Sequence, residues 1–558
     1  MEKDSLPDVE LNSSDTSLVK HFGIRFLLFA VLIGIVYVWR PFFHWIIYPM
    51  THSVFGVFLF GLPALAAIIL WFAPPLADNA GDSMMSKGMI LGVVVVGGLI
   101  IGLAFAIPAG MYEDRTLAQE TMDNAVEVDE FPEVNEENPR IAPRGVSDVQ
   151  TDASVSYRQY QLGTSDIARM DDGRLSWSYP VEPEPFQVKL RGHQQGVLMY
   201  DMTSMENREM RAVDDHEFTY GEGMYLHRGT GGMFNWQIQK GDYWVQYNDD
   251  PVEFVHDGTP YMYYPKTTHE WRGPWTGDGM IPHTVPTWDG GALVHPDGTI
   301  EHLEPEEAQE HPVLDGQRLY PLTLTETEVS ALDNRNGIWN QMPFFGTYEG
   351  VIEPASMPTA TENEQPFVID LEGEEMSYVM AMEPHGGDTA GLDEVWFTHA
   401  ETGEMQYYAT EEETITGPEN ALGIARGSDT RTDWGADGDA MMVEPIPMIV
   451  DGELWWHHKV VTADETDVVR NVFVNAHTEE TVEIHDTEAV YEFISGEDVE
   501  DLEDAEDVET EPADEEDDIS YWVVITDEDG EEIDRIPVEE GEEVNIVSDA
   551  EEDDENDE

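Results

Sequence analysis

Residues Met89–Gly110, MILGVVVVGGLIIGLAFAIPAG, run for twenty-two positions with no charge and no strongly polar side chain. A helix of that length reaches ~33 Å, enough to cross the ~30 Å hydrocarbon layer of a bilayer, where a helix satisfies its own backbone. Two earlier apolar stretches join it. Phe22–Trp39 carries Arg25 near its start, and its unbroken part, Phe26–Trp39, is short of the ~20 residues a span asks for unless Arg25 snorkels to the headgroups. Arg40 and Pro41 close it, and Phe42–Met50 has the Trp and Tyr of an interfacial belt. Val54–Pro74 is the second long run, with Pro63 inside. The expectation is a polar, disordered cytoplasmic tail over 1–21 and a three-helix transmembrane region over 22–110.

The basic residues set the expected orientation. Lys3, Lys20, Arg25 and Lys87 fall on one side of such a bundle and Arg40 on the other. Placing the larger group in the cytoplasm leaves residues 111–558 outside. Gly98 and Gly102 form a GxxxG pattern, a candidate helix-packing face through which the third span would self-associate into a homo-oligomer.

Beyond the spans, charge decides what the chain can be. Asp+Glu number 116 against Lys+Arg 26, a formal net charge of -90. Such charge on a poor core would mean disorder. Here 41% of residues are hydrophobic, with 15 Trp and 21 Tyr, so the acid decorates sequence able to fold. Carboxylates at this density suit a salt-loving source, where concentrated ions screen their repulsion within a few ångströms. In this the chain resembles the acidic membrane proteins of haloarchaea. The same charge excludes nucleic acid as a partner, which needs a basic face. With no Cys, disulfides, thiolate metal sites and Cys nucleophiles are excluded.

Residues 111–150 are acidic, with Pro132, Pro139 and Pro143, and read as a linker. From 151 to 355 short apolar–polar alternations are punctuated by turns such as Asp172-Gly173, Asp257-Gly258 and Asp297-Gly298, the mark of antiparallel sheet. Helices are expected at Pro305–His311, Glu326–Asp333, Pro418–Arg426 and Glu488–Ile494. A weak repeat recurs: a Gly turn, a strand with an aromatic, then a strand ending in a Thr-containing turn. Its copies run from Asp172-Gly173 through Trp177 to Thr203, from Gly373 through Tyr378 to Thr402-Gly403-Glu404, and from Asp451-Gly452 through Trp455-Trp456 to Thr478-Glu479-Glu480. The last two copies resemble PepSY modules in Phe473-Val-Asn-Ala-His-Thr-Glu-Glu-Thr-Val482. They depart from that family's Asp at Asn475 and from its Gly at Glu479. Over 356–490 the resemblance implies small α+β units on the outer side of envelopes that bind or inhibit other proteins. Residues 491–518 are an acidic spacer, 519–549 a small β unit of three strands, and 550–558 a disordered acidic tail. The fold class is a three-helix transmembrane region plus a mainly β (α+β) ectodomain of antiparallel meander modules.

Chemistry leaves few traces. There is no G-x-x-x-x-G-K-[ST], G-x-S-x-G or H-E-x-x-H. His256, His269, His283, His295 and His302, with Glu301, would make a zinc site only if they converged, and their spacing supplies no convergence. Asp433, Asp437, Gly438 and Glu444 match positions one, five, six and twelve of an EF-hand loop, but Gly435 stands where a ligand belongs. No catalytic residue, metal ligand or cofactor is assigned. The aromatic run from Tyr220 to Trp275 is the densest unusual feature. It fills a β core first, and Tyr243, Trp244, Trp271 and Trp275 are the candidates for binding a partner. The expected role is a membrane-anchored extracytoplasmic structural or protein-binding component of a halophilic envelope, bound to lipid and to an outer-surface protein. The alternatives are a membrane component of a virus particle and an accessory subunit of an envelope hydrolase.

Overall fold

Helix α1 (Ser13–Val38) and helix α2 (Arg40–His52) meet at Trp39 with a bend of 101°. The break falls at Arg40-Pro41, where proline has no N–H to give and crowds the residue before it. This computed structural model describes residues 13–73, 80–154, 159–184, 186–189, 192–204, 210–212, 217–221, 234–247, 251–341, 346–357, 365–373, 375–386, 391–410, 415–428, 432, 434, 438, 440–496, 519–526 and 532–539. Helix α3 (Val54–Phe72) follows, with the Ser53 hydroxyl accepting from the Gly56 amide at 3.3 Å and a π-helical turn at Val57–Gly61. Helix α4 (Ala80–Asn124) is 45 residues long. Among the described residues, Val54–Phe72 and Ser86–Asn124 are each long and apolar enough to cross a membrane, and a third crossing exists if the bent α1–α2 pair counts as one. These helices mark a membrane protein.

The last carbonyls of α3, orphaned as at any helix end, are met by cations from its neighbours. Arg25 of α1 donates to Trp71 O and, at 3.4 Å, to Ala73 O. Lys87 of α4 donates to Leu70 O at 2.8 Å and to Ala73 O at 2.6 Å. Arg25 and Lys87 therefore gather at one end of the helical region.

Helix α4 does not stop where its apolar run does. Leu117 and Ala118 are buried with Val285, Leu332, Ile352, Met380 and Trp396, and Thr121 is buried one turn on. This corrects the linker expected over 111–150. The acids there read as solvated chain, but Leu117, Ala118 and Thr121 recur at helical spacing on one face. The rest of the segment is clamped too: Phe131, Val134 and Arg140–Ala142 are buried, and Asn135 N donates to Asp370 O at 2.9 Å.

Beyond α4 the fold is mainly β, in small antiparallel sheets. Helix α5 (Arg144–Ser154) precedes strands β1 (Asp166–Arg169), β2 (Leu175–Pro183) and β3 (Val197–Asp201). Helix α6 (Phe234–Gly241) precedes β4 (Val252–His256), β5 (Thr259–Arg272), β6 (His283–Val294) and β7 (Ile300–Leu303). Helix α7 (Leu322–Ser330) precedes β8 (Phe367–Leu371), β9 (Glu375–Pro384), β10 (Glu394–His399) and β11 (Met405–Ala409). Helix α8 (Pro418–Ser428) precedes β12 (Ala440–Val450), β13 (Glu453–Thr462), β14 (Val468–Asn475) and β15 (Thr481–Ile484), and α9 (Thr487–Ile494) closes that part. In each set, strands consecutive in sequence are hydrogen-bonded antiparallel neighbours. The first hairpin of each set turns on glycine at positive φ: Gly173 (91°), Gly258 (71°), Gly373 (91°) and Gly452 (77°). That conformation is nearly free for glycine and strained for other residues.

A set of bonds recurs at three of these places. Trp177 Nε1 donates to Ala142 O at 3.0 Å, Tyr378 Oη to Tyr320 O at 2.7 Å, and Trp456 Nε1 to Thr416 O at 2.7 Å. Each accepting residue shortly precedes a proline that opens a helix: Pro143, Pro321 and Pro418. The amides of Ala142, Tyr320 and Thr416 donate in turn to Met202 O, Ala400 O and Ala476 O at 2.9, 2.7 and 2.7 Å. The residue before each acceptor, Asp201, His399 or Asn475, caps backbone amides of the turn that follows: Asp201 Oδ1 takes Thr203 N at 2.9 Å, His399 Nδ1 takes Glu401 N at 3.2 Å and Asn475 Oδ1 takes His477 N at 2.9 Å.

The first and third sheets are tied across each other. Arg140 reaches Val368 O of β8 at 3.4 Å, and Arg318 reaches Ile167 O of β1 at 2.8 Å. Arg140 and Arg318 stand at the same place, in Arg140-Ile-Ala-Pro143 and Arg318-Leu-Tyr-Pro321. Their reach is reciprocal. The chain to Glu497 is one compact unit, and the rest is a second. In the second, Ile519–Thr526 pairs antiparallel with Glu532–Glu539. The third strand expected there, Val544–Val547, lies outside the described residues, as does most of the acidic spacer.

Candidate functional site

The aromatic residues singled out from sequence gather at the base of the β region, against α2. His44 Nε2 lies 3.0 Å from Val245 O, and Tyr48 Oη lies 3.0 Å from His269 Nδ1. Trp271 Nε1 donates to Thr51 O at 2.7 Å. The Tyr243 ring meets the His44 ring edge-on at 5.3 Å, and Trp244 lies 6.0 Å from the His52 ring. Trp39 meets Trp236 of α6 edge-on at 5.5 Å. Burial, reinforced by His52, pulls the His269 imidazole down to about 4, so it sits neutral beside Tyr48. Tyr243, Trp244 and Trp271 thus contact α2 of the same chain, and Trp275 stands apart, 62% exposed.

Gly98 and Gly102 are also used within the chain. A Cβ on Gly98 would fall on the Phe58 carbonyl oxygen, and one on Gly102 would come 3.1 Å from Phe58 Cβ and 3.4 Å from the Phe55 ring. The GxxxG face therefore receives Phe55 and Phe58 of α3, the close approach that small residues allow. The π-helical turn at Val57–Gly61 lies at this contact.

Two polar features lie elsewhere. The first is an open cleft of about 530 Å³ at the edge shared by the turns of the first, second and third sheets. Asp171, Asp172, Asp315, Glu375 and Glu401 line it, with His256 and His399. At its floor Arg169 is buried against Asp370, which also accepts from Asn138 at 2.8 Å. With its guanidinium already neutralised, the cleft presents net negative charge, a field that draws cationic groups. Burial holds the Glu401 carboxyl above its usual range.

The second is buried in the fourth sheet. Arg140 Nη2 is 3.2 Å from Glu444 Oε1, which also accepts from Arg144 N at 2.7 Å. Lys459 Nζ stands 3.9 Å from Glu444 Oε2, an ion pair too long for a hydrogen bond. His457 and His458 are fully buried on the same strand, and His457 stacks on Phe473 at 4.3 Å. Burial pulls Lys459 down to about 7 and His458 to about 3. From sequence, His457-His458 reads as one buried and one exposed strand residue; both are buried, and the charged group around them has no counterpart in that reading. The signal of that group was His457-His458-Lys459, three titratable residues inside an otherwise apolar strand.

The histidines of the aromatic segment go separate ways. His283 Nε2 is 2.8 Å from Thr116 Oγ1, His302 Nδ1 is 3.1 Å from Tyr247 Oη, and His295 Nε2 is 2.7 Å from Glu301. Among the described residues no group of three or more His, Asp or Glu has metal-holding geometry. Of the EF-hand positions, Asp433 and Asp437 lie outside the described residues, and Glu444 is engaged by Arg140. No family model, curated protein or solved structure matches the chain.

Proposed function

We propose that this chain is a three-span membrane protein that holds a non-catalytic binding scaffold outside the cell, in a salt-adapted envelope. The observation that carries the reading is α4: one 45-residue helix, ~67 Å at 1.5 Å per residue, joins the apolar run Met89–Gly110 to the core around Trp396. A continuous helix transmits position, which suits display rather than tethering on a loose linker. The gathering of Arg25 and Lys87 at the end of α3 supports a cytoplasmic N-terminus by the positive-inside rule. The recurring carbonyl–ring bond supports reading the first, third and fourth sheets as repeats of one helix-plus-meander module, the last two of them the PepSY-like copies expected from sequence. The acidic cleft between turns is the surface offered to a partner with basic side chains.

The chain has no native cysteine, so single thiols test this directly. Val469→Cys, at an exposed position of β14, is expected to react with a membrane-impermeant maleimide on intact cells, and Lys20→Cys only after lysis. The opposite pattern overturns the outward display. A benzophenone attached at Asp172→Cys in the cleft is expected to give a discrete protein adduct in native membranes at high salt, absent from Val469→Cys. No adduct at position 172 overturns the binding role.

A further inference from the structure

The turn between β5 and β6, Gly273–Pro282, carries two large apolar side chains on its outside: Trp275 is 62% and Met280 83% exposed. Single exposed apolar residues are ordinary, but this loop is built and braced to hold them there. Gly273 N donates to Thr276 Oγ1 at 2.9 Å, and Thr276 and Gly277 amides return to Gly273 O at 3.0 Å. Gly273 has φ 156°, and a Cβ there would press on the Trp275 indole at 3.1 Å. The loop is also fixed to α4. Tyr112 packs so closely on Gly279 that no Cβ fits there, and His283, one residue past the loop, bonds Thr116 at 2.8 Å.

Those two contacts give the loop a height. Tyr112 is two residues past Gly110, ~3 Å along the helix axis, and Thr116 is ~9 Å along it. The polar layer on each side of the hydrocarbon is roughly 5–8 Å thick. The Gly279 end of the loop therefore descends to headgroup depth while its anchor at His283 sits above it. On the strand side of that anchor, Trp271, paired with Thr284, bonds Thr51 O at the end of α2 at 2.7 Å. The loop's one carboxylate, Asp278, lies 3.8 Å from Arg272, which Glu270 and Glu120 also share at 2.6 and 3.2 Å, so the charge left here is negative and does not draw the loop to an anionic surface.

We propose that this loop is a second membrane-contact site, in which Trp275 and Met280 of the β region enter the lipid interface beside α4. Indole favours the headgroup layer and Met adds apolar burial below it. The contact is driven by apolar area, so it persists in concentrated salt, where a charge-driven contact would be screened. The inference rests on the membrane-spanning reading above and adds to it a lipid-facing role for the domain outside.

The test uses the full chain in phosphatidylcholine vesicles at high salt. A nitrobenzoxadiazole probe on Met280→Cys is expected to show blue-shifted emission and several-fold stronger quenching by shallow spin-labelled lipid than the same probe on Val469→Cys. Because the probe is itself apolar, a probe-free variant is run beside it: Trp275→Phe is expected to reduce quenching of intrinsic fluorescence by brominated lipid. Equal quenching at positions 280 and 469, with no change in Trp275→Phe, overturns the loop's lipid contact while the protein still floats with the vesicles. Failure to float at all overturns the spanning reading instead.

Discussion

The third and fourth sheets share a frame and differ in what they enclose. Tyr378 and Trp456 make the same bond to a pre-helix carbonyl, and Ala400 and Ala476 the same return to Met376 O and Leu454 O, each at 2.8 Å. Strand positions correspond one by one, since Tyr378 pairs with Thr398 as Trp456 pairs with Val474. The next three residues are Val379-Met380-Ala381 in one and His457-His458-Lys459 in the other, all buried. One sheet is closed by apolar packing, with Met380 against α4. The other closes over an ionic group that depends on Glu444 and on Arg140, which comes from the segment leading into α5. The backbone frame is thus independent of the interior: hydrogen bonds at the turn and the ring set the geometry, and the strand then tolerates opposite chemistries.

Glu444→Ala acts on the ionic interior alone and has the largest expected effect. It strips the shared carboxylate from buried Arg140 and Lys459 and is expected to cost roughly 3–5 kcal/mol, the range for breaking a buried ion pair from one side. It is read by denaturation of the full chain in detergent at high salt. A loss below about 1 kcal/mol would mean the ions are solvated and the two interiors are not opposites.

Lys459 tests the same contrast through pH. Its folded value, about 7, lies below the ordinary 10.5, so between those limits the unfolded chain binds more protons than the folded one. Stability therefore rises with pH from about 7 toward 10.5, by up to ~1.4 kcal/mol per pH unit from this group. Lys459→Met, which brings the strand nearer the apolar sheet, is expected to flatten that slope. An unchanged slope between pH 7 and 10 would place the proton uptake elsewhere.

Sequence carried the frame further than it carried the site. The Gly turns, aromatic strand positions and Thr turns of the repeat were legible because each needs a residue type with one conformational or packing reason. Of the helices ahead of the three copies, those at Glu326–Asp333 and Pro418–Arg426 were expected and Arg144–Ser154 was not, although Arg140-Ile-Ala-Pro143 carries the same signal as Arg318-Leu-Tyr-Pro321. The clamp after Asn124 was hidden because acidic, proline-containing chain looks solvated until its few apolar residues find a partner. Tyr243, Trp244 and Trp271 were legible as unusual but not as the seat of α2, since no local pattern states which distant helix fills an aromatic surface. Gly98 and Gly102 were legible as a packing face, but not that Phe55 and Phe58 of the same chain occupy it.

The smallest expected effect separates a shared frame from two similar turns. At the end of β10 the turn residue with positive φ is Gly403 (75°), and at the end of β14 it is Glu479 (61°). His399 and Asn475 accept from these residues' amides at 2.8 and 3.0 Å, so the two turns superpose bond for bond. A side chain in the left-handed region costs roughly 1 kcal/mol, which Glu479→Gly relieves, for an expected gain of about 0.5–1 kcal/mol. Gly403→Ala goes the other way, because its Cβ meets the Tyr320 ring as well as the unfavourable φ. Opposite signs in paired denaturation curves keep the equivalence. If Glu479→Gly destabilises instead, the glutamate side chain stabilises its turn through contacts that the third sheet lacks. The frame common to the two sheets would then end at the ring bond.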